Sequence, residues 1–376
     1  MIYLDYNATA PLRIEARAAM DGLADRRPGN PSSAHTAGRI ARAALEQARR
    51  ALAASVGVAA NEIVFTGGGT EANNVAVFGA VPDPRAAHIV ASPLEHASVL
   101  GPLRELERRG AAVSWLSVDG EGRVPLDAVA QALRPETALV TVGWANNEIG
   151  TVQPIAAIAA LCRARAVLFH VDAVQALGKL PIALAGIDLV ALSAHKLGGP
   201  MGIGALVVRR GVALRPLTWG GEQERGLRPG TESAIAAAGF AAALAAEQGD
   251  SGAATALRER LWTRLATLPG ARRYSPAQDC LPNTLNAGFA GVRGEALVAG
   301  LDLEGVAVSV GSACAAGSGE PSHVLRAIGC DAVAAAAGVR FSLGRDTTAA
   351  EIDVAAAAVA RVVEQVRAVG ARAAVG

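Results

Sequence analysis

Aromatic residues are scarce. Phe, Trp and Tyr make up 3% of the 376 residues, too few for a surface on which nucleic-acid bases stack. An excess of one charge is also missing: the net charge is +1, so no strong field draws the chain to DNA, RNA or an acidic membrane. The four cysteines, Cys162, Cys280, Cys314 and Cys330, form no Cys-x-x-Cys pair. That spacing argues against a disulfide framework or a zinc site and favours a reducing cytoplasm. The longest apolar run, Ala234 to Ala246, is too short to cross a bilayer. The opening MIYLDYNATAPLR carries Asp5 early and lacks the basic-then-apolar order of a secretory leader. A soluble chain is expected, and with 51% apolar and 18% charged residues it has a well-buried core rather than disorder.

Lysine is the rarest of the common residues. Of 35 basic side chains only Lys179 and Lys196 are lysine. A GC-rich genome that trades lysine codons for arginine explains the imbalance, and either lysine can survive by chance. The survivors are informative all the same. Guanidinium stays protonated, with a pKa above about 12, so arginine cannot replace a lysine that must lose its proton and attack a carbonyl.

What is abundant is glycine, 42 residues, much of it clustered, as tight turns and close backbone approach to a ligand require. Over the first two-thirds, short apolar runs at Glu62–Thr66, His88–Ser92, Val113–Val118, Leu139–Gly143, Ala166–Asp172, Asp188–Ser193 and Gly204–Arg209 read as strands. They alternate with helical spacing at Ala37–Ala54 and Ile155–Arg165. This order predicts an α/β fold with a mostly parallel sheet covered on both faces. Gln248–Gly252 reads as a linker, followed by a helix from about Ala254 and a smaller α+β domain.

GGGTEA at 67–72 follows a strand and opens a helix, where backbone N–H groups point at an anion such as a phosphate. The same residues suit a plain tight turn, or a dinucleotide fingerprint with Asp83 as its acidic residue. Asp172 and Lys196 stand at or just past the C-terminal ends of two strands, the edge where open α/β sheets bind ligands. A lysine for an aldehyde, a carboxylate for a pyridinium nitrogen and a helix start for a phosphate are what pyridoxal phosphate needs. Taken singly, Asp172 also suits a helix cap and Lys196 the surface. His170-x-Asp172 and Glu95-His96 match no closed metal site, so no metal is expected, and His96 can stack on a cofactor ring. Cys314 lies among Gly and Ser in VGSACAAGSGEPS, a loop composition that makes it the candidate thiol nucleophile. No basic residue lies within eight positions of it, so local sequence supplies no cause for a lowered pKa. Cys162 reads as core packing, and Cys280 and Cys330 as incidental. Arg340 suits a substrate carboxylate.

Together the motifs resemble the cysteine desulfurases of the NifS/IscS type. Those that carry the resemblance are LDYNATAP at 4–11, GNPSSAH at 29–35, FTGGGTEANN at 65–74, EHASVL at 95–100, NNEIGTVQP at 146–154, HVDAVQALGKLPI at 170–182, SAHKLGGPMGIGAL at 193–206, GGEQERGLRPGTES at 220–233, GSACAAG at 311–317, EPSHVLRAIG and VRFSLGR. The resemblance implies a class V aminotransferase-like enzyme of pyridoxal-phosphate fold type I. It also implies a homodimer that converts L-cysteine to L-alanine and holds the sulfur as a persulfide for an acceptor such as an iron–sulfur scaffold. It implies residues 13–250 as the large cofactor-binding domain, with 1–12 and 251–376 as a small domain carrying the cysteine loop.

Carried over by motif, Lys196 is the Schiff-base lysine, Asp172 the pyridinium partner, Gln175 the ring-hydroxyl partner and His96 the stacking, catalytic imidazole. Gly69, Thr70, Ser193 and His195 hold the phosphate, and Thr231 reaches it from the other subunit. Asn147 lies against cofactor and substrate, Arg340 and Asn30 serve the substrate carboxylate, and Cys314 accepts sulfur. Gly68-Gly69 and Val310 depart from the usual residues without removing a backbone donor or the thiol. Selenocysteine lyase or another class V enzyme is the alternative. An NAD oxidoreductase built on GGGTEA leaves Asp172 and Lys196 without a role, and a non-catalytic sulfur-transfer scaffold leaves the catalytic set without one.

Overall fold

The structure is a computed structural model describing residues 1–247, 251–311 and 321–373, with side chains to residue 369. Seven strands form one sheet in the order Ile63–Thr66, Gly204–Val208, Leu189–Ser193, Leu168–Asp172, Thr137–Thr141, His88–Ala91, Ala112–Trp115. Neighbours from Leu189–Ser193 to Ala112–Trp115 pair in parallel, while Gly204–Val208 is antiparallel to both of its neighbours. The central strands are buried along their length because helices cover both faces, which is why their sequences are continuous apolar runs. Alternate residues feed different cores. Val190 and Leu192 pack with the helices Thr36–Val56, Ile155–Ala164 and Ala234–Ala245. Leu189 and Ala191 pack with Gly69–Ala80 and Ala97–Arg108. The edge strand Ala112–Trp115 is the least buried of the seven.

Each expected strand is present with one or both ends shifted by one to three residues, and the one read at Leu139–Gly143 lies at Thr137–Thr141. The run from Ala166 begins its strand at Leu168 because Ala166, at φ 53°, belongs to the turn that closes the preceding helix, where Val167 N–H bonds Cys162 O. The run to Val118 stops at Trp115. The helix expected near Ala254 spans Ser251–Leu265. Of the expected linker, residues 248–250 lie outside the described residues.

A second sheet of three antiparallel strands, Val339–Ser342, Thr284–Phe289 and Ala271–Arg273, packs with helices Ser251–Leu265, Gly294–Leu303 and Ala349–Ala373 around its own core. The N-terminal strand Ile2–Tyr3 pairs in parallel with Val306–Ala307, and Leu4 is buried in that second core. A smaller cluster, including Leu94, Ile149, Tyr274 and Leu325, ties the two sheets together. Among the described residues no helix is long and apolar enough to cross a membrane.

Candidate active site

A cavity of about 700 Å³ opens at the C-terminal edge of the parallel strands. Asp172 ends the strand Leu168–Asp172 and faces it. Its Oδ1 accepts from Val174 N (2.9 Å) and its Oδ2 from Asn73 Nδ2 (2.7 Å). The neighbouring strand Leu189–Ser193 runs into a 3₁₀ turn, Ala194–Leu197, that presents Lys196. Lys196 Nζ donates to Asn7 O and Ala8 O, both at 2.8 Å. A lysine and an aspartate thus share one crevice because two adjacent parallel strands end there.

The helix Gly69–Ala80 begins on the same side, with Gly69 and Thr70 lining the cavity. Its first turn leaves N–H groups without intrahelical acceptors. Glycine is required here. A Cβ on Gly69 would lie 2.7 Å from Val174 Cγ2, and one on Gly204 2.6 Å from the Gly68 backbone. Ser193 Oγ, beside the helix start, is buried with no protein hydrogen-bond partner among the described residues. His195 Nδ1 lies 3.1 Å from Thr9 Oγ1, and burial, with Lys196 adding to it, brings its pKa down to about 4.

His96 caps the helix Ala97–Arg108. Its Nδ1 accepts from Ser98 N (3.1 Å), so in the neutral ring the proton sits on Nε2. Burial lowers its pKa; Lys196 and His323 push the same way and Asp172 opposes them. His323 Nε2 lies 3.2 Å from Glu95 O, an acceptor, so this nitrogen carries the proton. Glu95 itself is buried, and desolvation raises its pKa to about 8 against the N–H of Gly143 at 2.7 Å.

Arg340 is 1% exposed and lines the cavity. Nη2 donates to Asp5 Oδ1 (2.6 Å) and Nη1 to the carbonyls of Gly311 (2.9 Å) and Asn147 (3.1 Å). Its Nε–H is buried without a protein partner among the described residues, a donor fit for an anionic group. Asn147 and Gln175 also line the cavity.

Of the residues expected at the site, the cavity brings together Gly69, Thr70, His96, Asn147, Asp172 and Gln175, and with them Ser193, His195, Lys196 and Arg340. Thr231 and Asn30 are exposed and do not line it. Asn30 Oδ1 accepts from Ser32 N at 2.8 Å in a turn. Cys314 lies outside the described residues. Burial raises the other three thiols, to about 12 at Cys162, to about 11 at Cys280, and above the ordinary value at Cys330. Each is held as the weakly nucleophilic thiol. His170 is buried in the sheet, 2.9 Å from Thr141 Oγ1, with its pKa lowered by burial to about 4. No group of three or more His, Cys, Asp or Glu arranged for a metal occurs among the described residues. Asp83 caps the turn Pro84–Ala86 and does not line this cavity, so the acidic residue that the dinucleotide reading assigns lies outside it.

Sequence reading missed three contributors. Asn73 holds Asp172; it stands in GTEANN one helical turn after Thr70, the signal that it shares a face with the site. Asn7 and Lys179 sit behind Lys196 and Gln175. Asn7 lies in LDYNATAP and Lys179 is the other lysine, but nothing local pairs them.

A lysine and an aspartate at the carboxyl edge of a mostly parallel sheet, beside a helix start, define a pyridoxal-phosphate enzyme of fold type I. The chain belongs to the class-V aminotransferase family, whose profile matches residues 2–354 and whose members use pyridoxal phosphate. It is 48% identical over 375 residues to a cysteine desulfurase of Cereibacter sphaeroides, covering 98% of this chain and 97% of that one. It is 41% identical over 375 residues to cysteine desulfurase IscS of Dictyoglomus turgidum, covering 97% and 95%. Among solved structures, a NifS-like protein superposes with a TM-score of 0.91 at 34% identity, covering 96% and 99%. SspA in complex with cysteine superposes with a TM-score of 0.82 at 34% identity, covering 91% and 99%.

The residues present fit the cofactor. The unpartnered Ser193 hydroxyl and the start of Gly69–Ala80 suit a phosphate. Asp172, held by Asn73, suits a pyridinium nitrogen, and Lys196 the aldehyde.

Proposed function

We propose that this chain is a cysteine desulfurase that takes sulfur from L-cysteine onto Cys314 and releases L-alanine. The observation that carries the proposal is Lys196 and Asp172 on adjacent strand ends around one cavity. It is supported by full-length relatives bearing the desulfurase name and by the similar SspA structure, which holds cysteine. Bound there, pyridoxal phosphate supplies an electron sink for charge developing at the substrate Cα. Asp172 would keep the ring nitrogen protonated, Gln175 would serve the ring hydroxyl and His96 the ring face. Gly69, Thr70, Ser193 and His195 hold the phosphate. Arg340, through its unpartnered Nε–H, and Asn147 take the substrate carboxylate, while Asn30 lies outside this cavity. Lys196 would hold the cofactor aldehyde and would serve as the base for the substrate Cα proton. Cys314 as thiolate attacks the substrate sulfur: an S–S bond forms, the C–S bond breaks, its electrons return to the carbon side, and protonation there yields alanine.

In this reading residues 13–250 form the cofactor-binding domain and 1–12 with 251–376 the small one, in keeping with the burial of Leu4 in the second core. The enzyme works in the cytoplasm as a homodimer, Thr231 of each copy serving the other's phosphate. The persulfide passes to an acceptor protein such as an iron–sulfur scaffold, as the IscS relative's name suggests.

The test is turnover of L-cysteine by wild type and Cys314→Ser, with alanine and enzyme persulfide both measured. Wild type is expected to form one alanine per sulfur and to carry the persulfide at Cys314. The variant is expected to bind cofactor and release little alanine. Normal turnover by Cys314→Ser, or sulfane sulfur on Cys280 or Cys330 alone, overturns the assignment. Turnover of selenocysteine with none of cysteine marks a selenocysteine lyase instead.

A further inference from the structure

The second lysine is not a surface residue. Lys179 Nζ donates to Asn7 Oδ1 (2.8 Å) and to Gln175 Oε1 (2.7 Å). The same Asn7 uses its main-chain oxygen to accept Lys196 Nζ (2.8 Å) and Gln175 Nε2 (3.0 Å). One asparagine therefore stands between the two lysines of the chain, each ammonium bonded to a different oxygen of it. Asn7 is itself fixed, its Nδ2 donating to Thr284 Oγ1 (2.8 Å) and Asn147 O (3.1 Å), its N–H to Ser342 Oγ (2.9 Å). Lys179 lines a second cavity behind the site and does not line the active-site cavity.

We propose that Lys179 is a positioning residue: through Asn7 and Gln175 it fixes the groups that hold Lys196, and its ammonium across Asn7 favours the neutral, proton-accepting form of Lys196. Because Lys179 occupies Gln175 Oε1, the amide can turn only Nε2 toward the site. A neighbouring cation also disfavours a second positive charge, which is how one lysine activates another. Burial, with Lys196 and Arg340 adding to it, lowers the pKa of Lys179 while Glu247 opposes them, so the two lysines compete for protonation and a charge on either disfavours a charge on the other. The charged groups around the pair are accounted for. Arg340 is paired with Asp5 and Glu247 with Arg13, while His96 and His195 both feel Lys196. Asp172 lines the active-site cavity with Lys196.

The inference rests on Lys196 being the cofactor lysine. Borohydride reduction and peptide mapping of the holoenzyme test that separately. The pair is read on the full chain freed of cofactor, by trace acetylation across pH. Cleavage at arginine releases one peptide, 166–209, that contains both lysines. Acetylation removes charge from Lys179, so Lys196 in those chains is expected to acetylate several-fold more slowly near pH 8, and doubly labelled peptide falls below the product of the single labels. In Lys179→Met the half-point for Lys196 is expected to rise by about one pH unit, a tenfold loss of neutral amine at a given pH. In the holoenzyme the pH midpoint of the visible band is expected to rise with it, and Lys179→Arg to restore the lower value. Double labelling equal to the product of the single labels overturns the proposal even if no variant folds, and so does an unmoved half-point in a folded Lys179→Met.

Discussion

Asn73 Nδ2 lies 2.7 Å from Asp172 Oδ2 and 2.8 Å from Ser98 Oγ, so one amide joins the strand-end carboxylate to two helices. An ionised carboxylate only accepts, which fixes the amide with its nitrogen toward Asp172. Asn73 sits on the helix whose first turn faces the cavity. It therefore sets the carboxylate relative to the phosphate end of the site.

Asn73→Ala removes a hydrogen bond to a charged group, a contribution of about 1.5–3 kcal/mol. Affinity for pyridoxal phosphate, measured by fluorescence titration, is expected to fall at least about tenfold on that range. Asn73→Asp is expected to bind still more weakly, because it brings a second carboxylate against Asp172. Wild-type affinity in Asn73→Asp would remove Asn73 from the site.

Glu95 gives stability a pH dependence of definite sign. Its pKa is raised to about 8 in the fold, against about 4.3 for an unfolded glutamate. Between these values the folded state binds more protons than the unfolded one. Its contribution is fully present below about pH 4 and is lost as pH rises through 8, at no more than about 1.4 kcal/mol per pH unit. Glu95→Gln keeps an acceptor for Gly143 N–H and cannot titrate. Urea unfolding at pH 5, 6.5 and 8 is expected to show wild type losing stability relative to Glu95→Gln across the series. Parallel curves for the two proteins would contradict it.

The buried pair Arg49–Glu224 holds the segment that leads to Thr231. Arg49 Nη1 and Nη2 each meet a Glu224 oxygen at 2.7 Å, and Phe65 N–H donates to the same carboxylate at 2.8 Å. Glu224→Ala leaves the Arg49 guanidinium with only the Glu46 carboxylate at 3.2 Å and the Ile63 carbonyl at 2.9 Å, and is expected to cost no more than about 3 kcal/mol in chemical denaturation. Arg49→Met combined with Glu224→Leu is expected to recover a large part of that loss. A double variant no better than Glu224→Ala points to the Phe65 bond as the larger contribution.

Thr231 is exposed and outside the cavity of its own chain. Mixing Lys196→Ala chains with Thr231→Ala chains under proven subunit exchange is expected to regenerate one intact site per heterodimer, and thus about a quarter of wild-type activity in an equal statistical mixture. No recovery, with each parent inactive, would count against a shared site.

The sheet was legible because strands buried on both faces must be apolar throughout, as DLVALS and GALVV are. The reversal of Gly204–Val208 was not, since GALVV looks the same run in either direction. Asp172 and Lys196 could be found because strand ends are local features and the sheet brings them together. Glu95 stood in plain view beside His96, but its raised pKa comes from burial, and burial is a tertiary property. Lys179 was visible as a rarity, without a role, because its partner Asn7 lies 172 positions away.

The bonds of Asn7 also set an order of events during synthesis. Its partners Thr284 and Ser342 follow it by 277 and 335 positions. The first ten residues therefore leave the ribosome long before the strands that receive them. Contacts of such separation form late, so the seven-stranded sheet can fold while the oxygens that hold Lys196 are still unplaced. Cofactor capture becomes the closing step of folding, and a chain truncated before residue 342 is expected to build the large sheet and bind pyridoxal phosphate poorly.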